Sequence, residues 1–250
     1  MEYSPTLAVA TAAFEIIAAA WAFVWRRRRE ARGPDAGTRT IARITGSILL
    51  LLAGYQLAEV VICADVAAAG FLPRLAFLIV TWLPALGLLL IAQLHRPRSR
   101  LLYGGAFAML AVSAGIAVWI LLDRSFAVAS VCNAVFARYA HAEPRFQLYA
   151  GYYWVGLLGM IAASAYGLFA SSDPTRRQWL SCVHVGTLGF VAPSILVSYS
   201  VPAAKGALPS VMCHFALVLA IALARMLWVM RSGEACASAE LTKSESNARI

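Results

Sequence analysis

The sequence predicts an all-α membrane protein, a polytopic bundle of seven transmembrane helices, from two observations. Hydrophobic residues make up 61% of the 250 residues against 13% charged residues, and the mean hydropathy is +0.73. A water-soluble domain does not show this balance. The chain also contains seven continuous apolar runs, each close to the roughly 20 residues that an α-helix needs to cross a bilayer.

The positions of these runs define the domain organisation. They lie at residues 5–25, 43–63, 73–95, 101–122, 147–170, 178–200 and 208–230. None alternates apolar and polar residues as an outer-membrane strand does, so a β-barrel is disfavoured. Residues 1–231 are therefore expected to form one domain, and the small, polar tail at 232–250 is expected to be disordered.

The distribution of basic residues predicts the orientation. Cytoplasmic loops are enriched in Lys and Arg, and most of the 21 such residues fall after the first span, in alternate loops from there, and in the tail. This pattern predicts an N-terminus outside the cell and a cytoplasmic C-terminus, in a bacterial inner membrane. No basic stretch has the interleaved aromatic residues of a nucleic-acid groove. One basic run could hold anionic lipid headgroups: Arg26, Arg27, Arg28 and Arg29.

Two acidic residues lie inside apolar spans. Glu15 is near the middle of the first span, and Glu59 is in the outer third of the second. Burying a charge in a helix centre costs about 2.5–3.5 kcal/mol on insertion scales, so such residues usually face a cavity or a partner. Gln56, Glu59 and Cys63 recur at i, i+3 and i+7, with Tyr55 one turn before Glu59. These residues share one face of the second helix.

A second polar stripe lies at similar depth on the seventh span, where Ser210, Cys213 and His214 fall at i, i+3 and i+4. If the two helices adjoin, Glu59 and His214 could share a proton or a hydrogen bond and mark a pocket. The alternative is that Glu59 only supplies an interhelical hydrogen bond. The predicted pocket consists of Tyr55, Gln56, Glu59, Ser210, Cys213 and His214. Glu15 either reaches this pocket from below or pairs with His184 across the bundle.

The histidines and cysteines do not form a metal or haem motif. The chain has no Cys-x-x-Cys, His-Glu-x-x-His or Cys-x-x-Cys-His sequence, so no cofactor is predicted. A metal would need ligands from several helices, such as Glu59, His214 and His141. His184 is expected to pack alone in the sixth span, and His95 is expected to be solvated.

Cys63 and Cys132 are both expected on the outer side of the membrane, which is an oxidising compartment in bacteria. A disulfide between them would tie the loop after the fourth span across the mouth of the bundle. Alternatively they are two free thiols too far apart to bond, because their spacing in the sequence does not show that their Cα atoms come within about 7 Å.

Small residues and prolines predict how the helices pack. Gly159, Ala163 and Gly167 recur every four residues, which allows close approach of a neighbouring helix, either within the bundle or at the face of a homodimer or membrane-complex partner. Pro84 and Pro193 remove backbone donors inside spans and are expected to kink them.

Four stretches carry a family resemblance. They are Met1-Glu2-Tyr3-Ser4, Gln56-Leu57-Ala58-Glu59, Leu168-Phe169-Ala170-Ser171-Ser172 with Arg176-Arg177, and Ser210-Val211-Met212-Cys213-His214-Phe215-Ala216. Together they resemble an uncharacterised family of bacterial seven-span proteins that often begin Met-Cys-Phe-Ser-Ala. Glu2 replaces the family's cysteine, and Met212 and His214 replace two aromatics of its Ser-Val-Trp-Cys-Phe-Phe pattern. The resemblance implies that Glu2, Glu59 and the stretch from Ser210 to His214 approach one another.

Three functions fit these features. The favoured hypothesis is a binding or sensory module that accepts a small molecule or lipid in an outward-facing polar pocket around Glu59 and His214. The second is a metal-dependent membrane lipid hydrolase in which these two residues hold a metal or act as base and acid. The third is a structural subunit of a membrane complex. Whether the protein is an enzyme stays open at this point.

Overall fold

The computed structural model describes residues 5–30, 36–64, 71–95, 99–127, 129–132, 137–140, 145–201 and 208–247. In chain order the elements in these ranges are α1 (Thr6–Glu30), α2 (Ala36–Ala64), α3 (Leu72–Val80), α4 (Leu83–Leu94), α5 (Arg100–Leu122), β1 (Ala129–Cys132), β2 (Ala137–Ala140), α6 (Arg145–Ala170), α7 (Pro174–Ser200) and α8 (Leu208–Asn247).

The predicted seven-span bundle is confirmed over the described residues, and the chain is an integral membrane protein. Seven segments are long and apolar enough to cross a bilayer: Thr6–Trp25, Gly37–Ala64, Leu72–Leu94, Arg100–Leu122, Phe146–Ala170, Pro174–Ser200 and Leu208–Ser232. The second span begins at Gly37 and not at residue 43. The third span consists of α3 and α4 together.

The third span is interrupted as Pro84 predicts. The turn at Thr81 and Trp82 separates α3 from α4, because proline has no N–H to continue the helical hydrogen bonds. The Tyr152 hydroxyl of α6 donates to the Thr81 carbonyl oxygen at 2.5 Å and lies 2.6 Å from the Ser113 hydroxyl of α5. These two hydrogen bonds join α5 and α6 to the break between α3 and α4. Pro193 lies inside an uninterrupted α7.

Two helix N-termini have side-chain caps. The Ser99 hydroxyl accepts a hydrogen bond from the Leu102 N–H at 3.4 Å before α5. The Asp173 carboxylate accepts from the Thr175 N–H at 2.9 Å before α7 and pairs with Arg176 at 3.1 Å. Such caps satisfy backbone donors that the first helical turn leaves free, so they fix where both helices begin.

The helices pack with α2, α4 and α8 at the centre. The most extensive pairs are α1 with α2 and α7 with α8; α8 also contacts α1 and α2, and α4 contacts α2, α5, α6 and α7. Helix α5 lies at the edge, and its buried residues are few: Ala106, Ser113, Ala117 and Ile120. The most tightly enclosed side chains therefore come from the central helices.

A short antiparallel hairpin interrupts the all-helical pattern between α5 and α6. Strand β1 pairs with β2 in the register Ala129 to Ala140 and Cys132 to Ala137. The sequence does not predict this hairpin, because four-residue strands are too short to show a clear alternation of apolar and polar residues. One end of the bundle is formed by this hairpin, the C-terminus of α2 and the N-terminus of α8. We call it the hairpin end.

The backbone of α8 remains helical as far as Asn247, whereas the composition of residues 232–250 predicts a disordered tail. The segment contains the helix formers Ala, Glu, Leu and Lys, which lower the cost of continuing a helix that already exists. Mixed charge and small residues alone do not reveal this tendency.

The predicted small-residue stripe on α6 packs within the bundle. Gly159 faces Leu88 of α4, and Gly167 faces His95 and Leu180. Gly156 is still closer to α4, because a Cβ atom there would overlap Pro84 and lie 2.9 Å from Met109 Cε. Gly151, earlier on the same helix, has open space at the Cβ position.

We predict opposite effects of alanine at two glycines of α6. Gly156→Ala should lower the unfolding temperature of the purified protein, because overpacking typically costs about 1–3 kcal/mol. Gly151→Ala should leave it unchanged or raise it, because alanine is favoured over glycine in a helix by up to about 1 kcal/mol. Thermal unfolding in detergent measures both, and equal shifts would contradict the close α4–α6 contact.

Candidate functional site

Glu59 is fully buried at the hairpin end and is held by a serine of α8. Its Oε1 atom accepts a hydrogen bond from the Ser210 hydroxyl at 2.6 Å. The Ser210 oxygen in turn accepts from the Ala137 N–H of β2 at 3.0 Å. One hydroxyl therefore connects α2, α8 and the hairpin. The second carboxyl oxygen, Oε2, has no hydrogen-bond partner among the described residues.

Two neighbouring residues of α2 repeat this pattern. The Gln56 amide donates to the Cys213 carbonyl oxygen of α8, and the Tyr55 hydroxyl donates to the Tyr139 hydroxyl of β2 at 3.3 Å. The side chains of Tyr55 and Gln56 are almost completely buried. One helical turn of α2 is thus bonded to α8 on one side and to the hairpin on the other.

Cys63 and Cys132 form a disulfide, the first of the two alternatives that the sequence left open. Their Cα atoms are 5.7 Å apart, inside the usual range for this bond. The link joins the C-terminal end of α2 to β1. The hairpin is consequently fixed to the bundle both covalently and through hydrogen bonds.

His214 does not join Glu59. Its Nδ1 atom lies 2.9 Å from the Ser210 carbonyl oxygen, one turn back on its own helix, and the ring is half-buried. Ser210 lies next to Glu59, in the place that was predicted for His214. The reason is geometric: Ser210 lies one turn nearer the start of α8, at the depth of Glu59.

Glu15 approaches the same cluster from α1. It is fully buried, and neither carboxyl oxygen has a hydrogen-bond partner among the described residues. Glu15 and Glu59 both lie close enough to the Cys213 side chain to interact with it electrostatically. His184, the alternative partner for Glu15, lies 2.9 Å from the Ser164 hydroxyl.

Several residues of the predicted sites lie outside the part of the chain that the structure describes. Glu2 and His141 lie outside the described residues, as do the side chains of Arg26, Arg27, Arg28 and Arg29. In the described part of the chain, no three His, Cys, Asp or Glu residues are placed to hold a metal ion. His95 was expected to be solvated, but it is buried, with Nδ1 2.9 Å from the Ile91 carbonyl oxygen.

A cavity of about 140 Å³ adjoins the polar cluster. Tyr55 and Cys213 belong to both features, and half of the residues that line the cavity are aromatic. The aromatic lining residues are Tyr55, Phe77, Tyr139, Phe146, Tyr149, Tyr153, Trp154 and Phe190. Of these aromatic residues, the sequence predicts only Tyr55 as part of a pocket, because that prediction rests on polar residues inside the apolar spans. The dense run Tyr149, Tyr152, Tyr153 and Trp154 on α6 was the available signal.

The cavity opens on one side of the bundle. Its half-buried lining residues all come from two helices: Phe146, Ala150, Tyr153 and Trp154 of α6, and Leu208 and Pro209 of α8. The lining residues from α2, α3, α4, α7 and β2 are buried. Within the described ranges, the opening therefore lies between the first turns of α6 and α8.

Comparison with known proteins does not show which family this chain belongs to. The sequence matches no protein-family model and no curated protein. The resemblance to the bacterial seven-span family consequently stays a prediction. The features that bear on its function are the hydrogen-bonded polar cluster of Tyr55, Gln56, Glu59 and Ser210, the disulfide and the aromatic cavity.

The disulfide predicts a specific thiol count. In unfolded, unreduced protein, a maleimide should modify Cys182, Cys213 and Cys236; after reduction it should also modify Cys63 and Cys132. Intact-mass measurement before and after reduction checks this. In the control variant Cys63→Ser, Cys132 should become reactive without reductant. Full labelling of the unreduced native sequence would contradict the link.

Proposed function

We propose that this protein is a membrane-embedded binding module for a small apolar molecule, with the aromatic cavity as its site and the hairpin as its cover. The cavity carries the proposal: a largely apolar space of about 140 Å³ is similar in volume to the engineered cavity of about 150 Å³ that binds benzene. Ligand sites are typically concave and mostly apolar, with a few polar groups.

In this proposal Glu59 and Ser210 hold the hairpin in place through the hydrogen bond from the Ala137 N–H to Ser210. Glu59 is fully buried, is bonded to Ser210 and does not line the cavity. General acid–base catalysis needs a group within hydrogen-bond reach of the reacting atom, and Glu59 does not meet that requirement here. A binding role therefore has more support than lipid hydrolysis. No comparable observation favours a structural subunit.

We further propose that the hairpin end faces the outside of a bacterial inner membrane. Two observations support this orientation. Arg176 and Arg177 begin α7 at the opposite end of the bundle, in agreement with the enrichment of basic residues on the cytoplasmic side. The Cys63–Cys132 disulfide is at the hairpin end, and such bonds persist in oxidising compartments.

The orientation predicts which end of the bundle is accessible in intact cells. Ser125 and Thr175 are exposed residues at opposite ends. A membrane-impermeant maleimide should label Ser125→Cys in intact cells above the background of the native sequence. It should label Thr175→Cys only after permeabilisation, because that end is then cytoplasmic. The reverse pattern would contradict the orientation.

If the cavity binds a small apolar molecule, the bound ligand should give its own NMR resonance. With protein in lipid nanodiscs, ¹⁹F NMR of 4-fluorotoluene should show a bound signal separate from the bilayer-dissolved signal. Ala150→Phe places a ring in the opening and should weaken binding roughly tenfold or more. Ala162→Phe, on the exposed face of α6, is the matched control and should bind normally. A spectrum identical to that of empty nanodiscs would refute the proposed function.

A further inference from the structure

We propose that Glu15 is a proton-binding site inside the membrane, and that its proton exchanges with water at the hairpin end, past Thr11 and Glu59. The site lies at the junction of α1, α2 and α8. It needs no ligand in the aromatic cavity, so it goes beyond the proposed function and is tested separately. The inference follows from the burial of Glu15 and from where polar atoms without partners lie along the bundle.

Glu15 has no partner that would stabilise a negative charge. The side chain is fully buried in the middle of the first span, and both carboxyl oxygens lack hydrogen-bond partners among the described residues. In the same part of the chain, no basic side chain pairs with it. A carboxylate here would be an unpaired charge inside the bilayer, which is far more costly than the neutral acid. Glu15 therefore carries a proton.

The helices packed against α1 supply no positive charge to this site. Helix α1 packs mainly against α2 and α8. The titratable groups that these two helices place in the polar cluster are Tyr55, Glu59 and Cys213. Glu15 and Glu59 both interact electrostatically with the Cys213 side chain, so the two acids belong to one region of the bundle. None of the three groups becomes positive, and none stabilises a carboxylate at Glu15.

Polar atoms lead from Glu15 toward the hairpin end. Thr11 lies one turn before Glu15 on the same face of α1, and its buried hydroxyl has no partner among the described residues. Phe23 of α1 packs against Gly46 of α2. In the antiparallel register that this contact sets, Thr11 lies within about one turn of Glu59 in depth. Oxygen Oε2 of Glu59 also lacks a partner there. Buried polar groups of this kind typically bind water or an ion, and here they form a path for a proton.

The opposite direction along the bundle is apolar. The residues that continue the face of Glu15 along α1 are buried alanines: Ala18, Ala19 and Ala22. On α2 the next buried hydroxyl toward that end belongs to Thr45, which the same register places about two turns deeper than Glu15. A proton on Glu15 thus has polar neighbours on one side only. Glu15 is the end of a proton path and not a step in a channel across the bilayer.

Infrared spectroscopy tests whether Glu15 holds an exchangeable proton. Nanodiscs of ether-linked lipid are used, because ester carbonyls would mask the C=O stretch of a protonated carboxyl group. The native sequence should show this band at neutral pH, and the band should move to lower frequency in D₂O as deuterium replaces the proton. Glu15→Gln is isosteric with the neutral acid, so it should fold and lose the band. A carboxyl band unchanged by Glu15→Gln would overturn the site.

The rate of the frequency shift in D₂O tests the path. Glu59→Gln cannot titrate but keeps an oxygen for the Ser210 hydroxyl, and Thr11→Val removes a hydroxyl at nearly constant size. Each should slow deuteration of Glu15 roughly tenfold or more, since positioned proton-transfer groups typically contribute at least that much. Thr45→Val is the matched control toward the other end and should leave the rate unchanged.

Three results would contradict the inference. A Glu15 band that never shifts in D₂O would show a fixed proton and overturn the exchange. Unchanged rates in both Glu59→Gln and Thr11→Val would overturn the path from the hairpin end, and so would slower exchange in Thr45→Val. None of these results bears on the proposed function, because the measurements contain no ligand.

Discussion

The shared hydroxyl of Ser210 is the interaction on which the hairpin end depends. A bilayer offers no water to buried polar groups, so they have to find partners inside the protein. Ser210 donates to Glu59 of α2 and accepts from the Ala137 N–H of β2, which fixes the relative depth of α2, α8 and the hairpin. That alignment also sets the positions of Tyr55, Tyr139 and Cys213. Each of these residues forms part of the cavity wall.

The same constraint operates at the break in the third span. Pro84 interrupts the helix, and the Tyr152 hydroxyl bonds to the Thr81 carbonyl oxygen while also contacting Ser113 of the otherwise peripheral α5. The break separates α3 from α4 and leaves Phe77 of α3 at the centre of an aromatic cluster. Two sets of buried hydrogen bonds, one at each side, therefore frame a cavity that is itself almost entirely apolar.

The sequence predicted features that depend on local periodicity and missed those that depend on packing between distant segments. Hydropathy located all seven spans, and the i, i+3, i+7 stripe on α2 correctly selected Gln56 and Glu59 as buried polar residues. It could not choose Ser210 over His214 as the partner of Glu59, because the depth of α8 against α2 is set by tertiary contacts. The cavity was missed because α2, α3, β2 and α7 each contribute a single aromatic residue to it, and the denser aromatic run on α6 does not by itself predict a cavity.

The link between Cys63 and Cys132 also acts on the unfolded chain. The two cysteines are 69 residues apart, and α3, α4 and α5 lie between them. A disulfide that closes a long loop removes conformational freedom from the unfolded state, which typically adds about 2–4 kcal/mol to the free energy of unfolding. The bond therefore stabilises the third and fourth spans as well as the hairpin, although neither span contains a cysteine.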